Sequence, residues 1–166
     1  GCALVSDDGL RHVAALANLE RLKLRCPAVS DAGVDAIAGL KKLKGLGLED
    51  SQITDASMEK IKGFTNLDEL YLLRTNVSDA GLAQLAGLAQ LKRIELRSTR
   101  LNGSGLVHLK NLSKLRVLDC GETQVDDAGL AHLAGLKTLK YLGLRGDRVT
   151  DKGIKQLAAL KRLRAV

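Results

Sequence analysis

The stretch VSDAGLAQLAGLAQLKRIELRSTR, Val77 to Arg100, carries two hydrophobic periods in succession. Leu82, Leu85 and Leu88 recur every third residue, which places them on one face of a short helix. Leu91, Ile94 and Leu96 follow, and the last pair alternates as the inward side chains of a strand do. One helix and one short strand between Val77 and Arg100 is the expected unit.

The same pattern recurs in both directions. Similar segments begin at Val5, Val29, Ile53, Leu101, Val125 and Val149, and the spacing between starts never changes. The columns are nearly pure. Leu10, Val34, Met58, Leu106, Leu130 and Ile154 align with Leu82, and Leu16, Leu40, Phe64, Leu112, Leu136 and Leu160 align with Leu88. Fixed self-similarity at this period marks stacked repeats. The repeats predict six parallel strands over about 21–24, 45–48, 69–72, 93–96, 117–120 and 141–144. Phe64, in a spine column, should be buried.

Short polar residues and glycines punctuate each unit. Ser30-Asp31, Thr54-Asp55, Ser78-Asp79 and Thr150-Asp151 precede helices, where a hydroxyl or carboxylate caps free amides and negative charge is favoured. The aspartate column, which also holds Asp7 and Asp127, is therefore read as helix capping and not as a calcium site. Gly39, Gly63, Gly87 and Gly135 fall where helices end, and a left-handed C-cap would explain them. Ser51, Thr75, Thr99, Thr123 and Asp147 follow the strands and suit a tight turn.

A single unit cannot bury its leucines, whereas stacked units can, with strands forming a parallel sheet on one side and helices on the other. On these residues the chain resembles the leucine-rich-repeat family over essentially its whole length. It looks most like the 24-residue bacterial type, and its Ser/Thr-Asp-x-Gly opening is similar to the cysteine-containing repeats of F-box substrate receptors. The resemblance implies an α/β right-handed solenoid, a horseshoe with a concave parallel sheet and convex short helices. It comprises one domain over 1–166, with six full repeats starting at 5, 29, 53, 77, 101 and 125 and a partial one at 149. The family binds proteins, peptides, lipids and other partners, so the resemblance does not name a ligand.

Composition narrows the function classes. Aromatic residues are 2% of the chain, so the core is aliphatic. No apolar run is long enough for a membrane helix. The net charge of +7 is uneven: the segment from Lys137 to Val166 holds nine basic and two acidic side chains, and the chain before Lys137 is neutral overall. A global polyanion-binding surface is not indicated, and nucleic acid is a disfavoured partner because interleaved aromatics are lacking. No phosphate-binding loop or nucleophile motif is present, so no enzyme activity and no cofactor are expected. His12, His108 and His132 share one helix column that holds no other metal-ligating residue type, and are read as exposed helix residues. Cys2 and Cys26 lie one repeat apart and either pair or remain two free thiols. Cys120 replaces a spine leucine and should be buried and inert.

The outward strand positions are free for recognition. Both tyrosines fall among them, and tyrosine and arginine are enriched at binding hot spots. Tyr71, Leu73, Arg74, Arg93, Arg97, Tyr141 and Arg145 are the candidate partner-binding residues. The expected function is a protein-interaction module that grips a protein or peptide on the concave face. The alternative is a structural spacer within a larger multidomain protein. Leu160, Leu163 and Val166 sit in the incomplete repeat, where solvent would reach them. The protein is therefore expected to continue past Val166, or to be covered there by further repeats or another chain.

Overall fold

A computed structural model describes residues 4–166; Cys2 lies outside them, and with it the question of a Cys2–Cys26 bond. The elements alternate as the repeat requires: α1 (Asp7–Val13), β1 (Arg21–Arg25), α2 (Asp31–Ala36), β2 (Gly45–Glu49), α3 (Asp55–Ile61), β3 (Glu69–Tyr71), α4 (Asp79–Leu82), β4 (Arg93–Glu95), β5 (Val117–Asp119), α5 (Asp127–Ala131), β6 (Tyr141–Gly143) and α6 (Asp151–Gln156). The strands form one sheet in the order β1 to β6, every pairing parallel and offset by one repeat, as in Leu46↔Leu70 and Leu70↔Ile94. Among the described residues no helix is long and apolar enough to cross a membrane.

Spine residues from successive coils fill one continuous aliphatic core, and Phe64 is fully buried in it. Leu160 is also buried, contrary to the sequence expectation, because it packs onto the core of the preceding coil. Leu163 is only half-buried, and Val166 is exposed.

Three differences from the sequence reading have physical causes. First, the three-residue spacing is realised by an α turn that tightens into a 3₁₀ turn, as at 83–85, 132–135 and 157–159. In the fifth coil the whole element, Ser104–Leu109, is 3₁₀. A 3₁₀ helix has three residues per turn, so spine side chains three apart eclipse on the core side. Second, Gly39, Gly63, Gly87 and Gly135 are not left-handed; among the described residues, the glycines with positive φ are Gly103 and Gly146. The tightened turns close with i→i+3 bonds such as Leu40 N to Ile37 O at 2.9 Å, and no left-handed residue is needed. Left-handed backbone lies after the strands instead, at Asp50, Arg74, Ser98 and Glu122.

Third, the aspartates do more than charge a helix end. The N-caps are hydroxyls: Ser30, Thr54, Ser78 and Thr150 each accept from the amide two residues on. The aspartate after each cap reaches the next coil. Asp55 Oδ1 accepts from Ser78 N at 2.8 Å and Oδ2 from Ser78 Oγ at 2.6 Å, and Asp7, Asp31 and Asp127 bond the coils that follow them in the same way. Asp79 takes three backbone amides, those of Asn102, Gly103 and Gly105. Gly33, Gly81 and Gly153 stand where a Cβ would overlap these carboxylates. Ser57 occupies that position in the third coil and donates its hydroxyl to Asp31 instead. The Ser/Thr-Asp-x-Gly opening is thus an inter-coil clasp. It is missing between the fifth and sixth coils, where Gly103 replaces the aspartate. There Asp126 caps its own helix through Gly129 N at 3.0 Å.

Candidate functional site

The outward face of the sheet divides into two regions, each built around a pair of glycines. In the first, Gly45 and Gly47 of β2 lie between Arg21 and Lys23 of β1 and Glu69 and Tyr71 of β3. With no side chain on β2 in the way, the flanking groups meet across a gap of about two strand spacings. Glu69 Oε2 accepts from Arg21 at 2.8 Å, from Lys23 at 3.1 Å and from the Tyr71 hydroxyl at 3.1 Å. The Lys23 ammonium sits 4.2 Å from the centre of the Tyr71 ring, within cation–π range. Partial burial disfavours the Glu69 carboxylate, but the hydrogen bonds from Lys23 and Tyr71 outweigh it and hold the group below its ordinary value. Burial likewise opposes the Lys23 ammonium, and bonds to Tyr71 and Glu69 hold it above its ordinary value.

In the second region, Gly121 sits between Arg97 and Arg145 in its column, and Gly143 pairs with Asp119. Here the gap stays open. Asp119 turns its Oδ1 to Gly121 N at 3.0 Å and does not bridge outward. A cleft of about 500 Å³ remains, walled by Arg97, Asp119, Tyr141, Leu144, Arg145 and Val166 over the floor of Gly121 and Gly143. Tyr141 is 38% exposed. Neither Tyr141 nor Arg145 has a side-chain partner among the described residues. Arg97 pairs with Glu122, yet its Nε is buried without an acceptor. Asp147 follows β6 and bonds back to the preceding coil. Its Oδ1 accepts from Thr123 N at 2.8 Å and Thr123 Oγ1 at 3.0 Å, and its buried Oδ2 has no partner. Burial raises its carboxyl above the ordinary value, against the Thr123 bonds.

The candidate residues therefore separate. Arg97, Tyr141 and Arg145 come together in the cleft. Tyr71 is half-buried in the first network and Leu73 is half-buried after β3. Arg74 is held by Asp50 through two bonds, one of them Nη2 to Oδ2 at 3.0 Å. Arg93 bonds Glu95 on its own strand at 2.9 Å. Asp119 and the two floor glycines were not singled out by sequence, although their placement in outward columns was visible there. His12, His108 and His132 are exposed on the helix side, and the described residues contain no cluster of ligand-type side chains suited to a metal. Cys26 and Cys120 are buried and free. Burial, with Asp147, Asp119 and Asp79 nearby, pushes the Cys120 thiol far above its ordinary value, so it is unreactive.

No family model matches this sequence, and no curated protein does either. Solved structures do match. An internalin (inlF) from Listeria monocytogenes aligns with a TM-score of 0.71 at 23% identity, over 93% of this chain and 49% of its own. Internalin C2 from the same organism aligns at 0.67 and 26% identity, over 98% of this chain and 74% of its own. This chain has the leucine-rich-repeat fold. The leucine-rich-repeat ectodomain of the plant receptor kinase GASSHO1/SCHENGEN3 from Arabidopsis thaliana also matches, with a TM-score of 0.67 at 16% identity, over 94% of this chain. The chain spans about half of the inlF structure and 19% of the ectodomain. The likeness to F-box repeats stays a resemblance of sequence.

Proposed function

We propose that this chain is a protein-interaction module that holds a protein or peptide against the outward face of its sheet, over β5 and β6. The observation that carries this reading is the open cleft there. It combines a flat glycine floor, an exposed tyrosine, and guanidinium groups with unused donors. Such a floor lets a partner's backbone approach closely, and tyrosine and arginine contribute most per residue at interfaces. The plant ectodomain of the same fold was solved in complex with CASPARIAN STRIP INTEGRITY FACTOR 2, which supports partner binding as a use of the fold. The spacer reading draws on the first region, whose charges are satisfied internally and ask for no ligand.

Selection of displayed peptides on the folded protein tests the proposal. Enriched peptides should lose binding to Tyr141→Ala and Arg145→Ala while keeping it for Tyr71→Ala. Failure to enrich any peptide, or binding that ignores both cleft variants, would favour the spacer.

A further inference from the structure

One column of side chains runs along the edge where the strands begin. It reads Glu20, Lys44, Asp68 and Lys92 in the first four coils and Arg116, Lys140 and Arg164 in the last three. An unbroken series of backbone hydrogen bonds fixes its register, including Lys44 N to Glu20 O at 2.7 Å and then Arg116 N to Lys92 O, Lys140 N to Arg116 O and Arg164 N to Lys140 O, each at 2.8 Å. These side chains therefore stand about 4.8 Å apart, one coil to the next.

In the first four coils the signs alternate and the charges pair. Lys44 reaches Glu20 at 2.7 Å and Lys92 reaches Asp68 at 3.3 Å. In the last three coils all the charges are positive. Arg116 and Arg164 are exposed, Lys140 is half-buried, and among the described residues none has an acidic partner. Lys161 and Arg162 join Lys140 and Arg164 around a cleft of about 320 Å³ whose only apolar wall is Leu163. The first coils show that the fold accepts an acid in this column. The all-cationic row is thus not a requirement of folding, and neighbouring like charges repel. A row of carboxylates from a partner would relieve that repulsion.

We infer that the edge formed by Arg116, Lys140, Arg162 and Arg164 docks an extended acidic polypeptide segment rich in Asp and Glu. Carboxylates suit the site because a guanidinium binds them with two parallel bonds. Same-side residues of an extended chain recur about every 7 Å, so two or three carboxylates match a row about 10 Å long. Nucleic acid fits less well. No aromatic side chain lies on this edge to stack a base, since Phe64 is buried and Tyr71 and Tyr141 belong to the outward sheet face. An anionic membrane would find little apolar surface to insert. This edge adjoins the start of β6, but its cleft shares no lining residue with the Arg145 cleft, so the inference stands apart from the proposed function.

Fluorescence anisotropy with labelled decaglutamate tests it. The wild-type chain should bind in a salt-sensitive way. Arg116→Glu, Lys140→Glu and Arg164→Glu together should weaken binding by about tenfold or more. The corresponding glutamine triple variant should show an intermediate loss with an unchanged thermal melt, which separates binding from folding. Lys110→Glu, Lys152→Glu and Lys155→Glu make the same change of net charge elsewhere and should alter binding by no more than about twofold. An equal loss in that control, no binding by wild type, or tighter binding of a thymidine decamer or of phosphatidylglycerol vesicles would overturn the inference.

Discussion

The two glycine-floored regions of the sheet start from the same device and end differently. Over β2, Gly45 and Gly47 leave a gap that long complementary side chains close: Arg21 and Lys23 from one side meet Glu69 and Tyr71 from the other. Over β5 and β6, Gly121 and Gly143 leave a similar gap, but the neighbour in reach is a short aspartate already bonded to Gly121 N. Among the described residues, the Tyr141 and Arg145 side chains are then left without hydrogen-bond or ion-pair partners. A bare sheet surface becomes either a cross-strand brace or a cleft according to the reach and sign of what flanks it. The first region satisfies its own charges, and the second is the one we propose for a ligand.

The largest expected effect that follows from this contrast is on binding. For a peptide selected on the wild-type chain, Tyr141→Ala with Arg145→Ala should cost about 2–4 kcal/mol of affinity, as hot-spot truncations do. Tyr71→Ala should cost under about 0.5 kcal/mol in the same calorimetric titration. The reverse order would mean that the braced region is the binding surface and the cleft is incidental.

Much of this architecture was legible in the sequence because a constant repeat multiplies its evidence column by column. The first residue of each strand, the start of each helix at its aspartate, and the burial of Phe64 all follow from column purity. What was not legible depends on distances between coils. Ser/Thr-Asp-x-Gly reads locally as a helix cap, and only stacking shows Asp55 bonding Ser78 in the next coil. Gly87 reads as a left-handed C-cap, but a 3₁₀ ending removes the need. Tyr71 and Tyr141 both hold outward positions, Tyr71 as the third residue of β3 and Tyr141 as the first of β6. Their different fates follow from Glu69, on the same strand as Tyr71, and from Lys23, on a strand two coils away.

Stability sharpens the contrast at smaller magnitude. Glu69 accepts three hydrogen bonds and its removal leaves Arg21 and Lys23 facing each other, so Glu69→Ala should cost about 1–2 kcal/mol in urea unfolding. Asp119→Ala, which removes a single part-buried hydrogen bond to Gly121 N, should cost less, about 0.5–1 kcal/mol. If both cost the same, the first region is no more a brace than the second.

Acid should act on the braced region in a defined direction. Glu69 has a folded pKa below its ordinary 4.5, so its stabilisation is present above that value and is lost as pH falls through the lower folded one. The same sign holds for two clasps. Burial opposes the Asp31 carboxylate, but bonds from Ser57 and Thr54 hold it below its ordinary value. Bonds from Thr150 do the same for Asp127. The stability difference between wild type and Glu69→Gln, measured by urea unfolding, should therefore shrink from neutral pH toward pH about 3. A difference that grew with acid would contradict the brace.

Asp147, after β6, should respond in the opposite sense and by the least. Burial raises its folded pKa above the ordinary 3.8, with the Thr123 bonds offsetting part of the rise and Asp119 adding to it. A group raised in the fold contributes fully below its unfolded value, and that contribution is lost as pH rises through the folded value. At neutral pH the ionised carboxylate therefore weakens the fold it sits in. Asp147→Asn keeps an Oδ1 to accept from Thr123 N and Oγ1, and it places a neutral amide nitrogen where Oδ2 has no partner. A neutral group costs less to leave unpaired in a buried place than a charged one. The variant should gain roughly 0.5 kcal/mol at pH 7, and the gain should vanish below pH about 3.5 as the wild-type carboxyl takes up its proton. Urea unfolding at the two pH values reads both numbers. A loss at pH 7 would mean that the ionised Oδ2 is held by a partner such as an ordered water, and that the two regions do not differ in the sign of their response to acid.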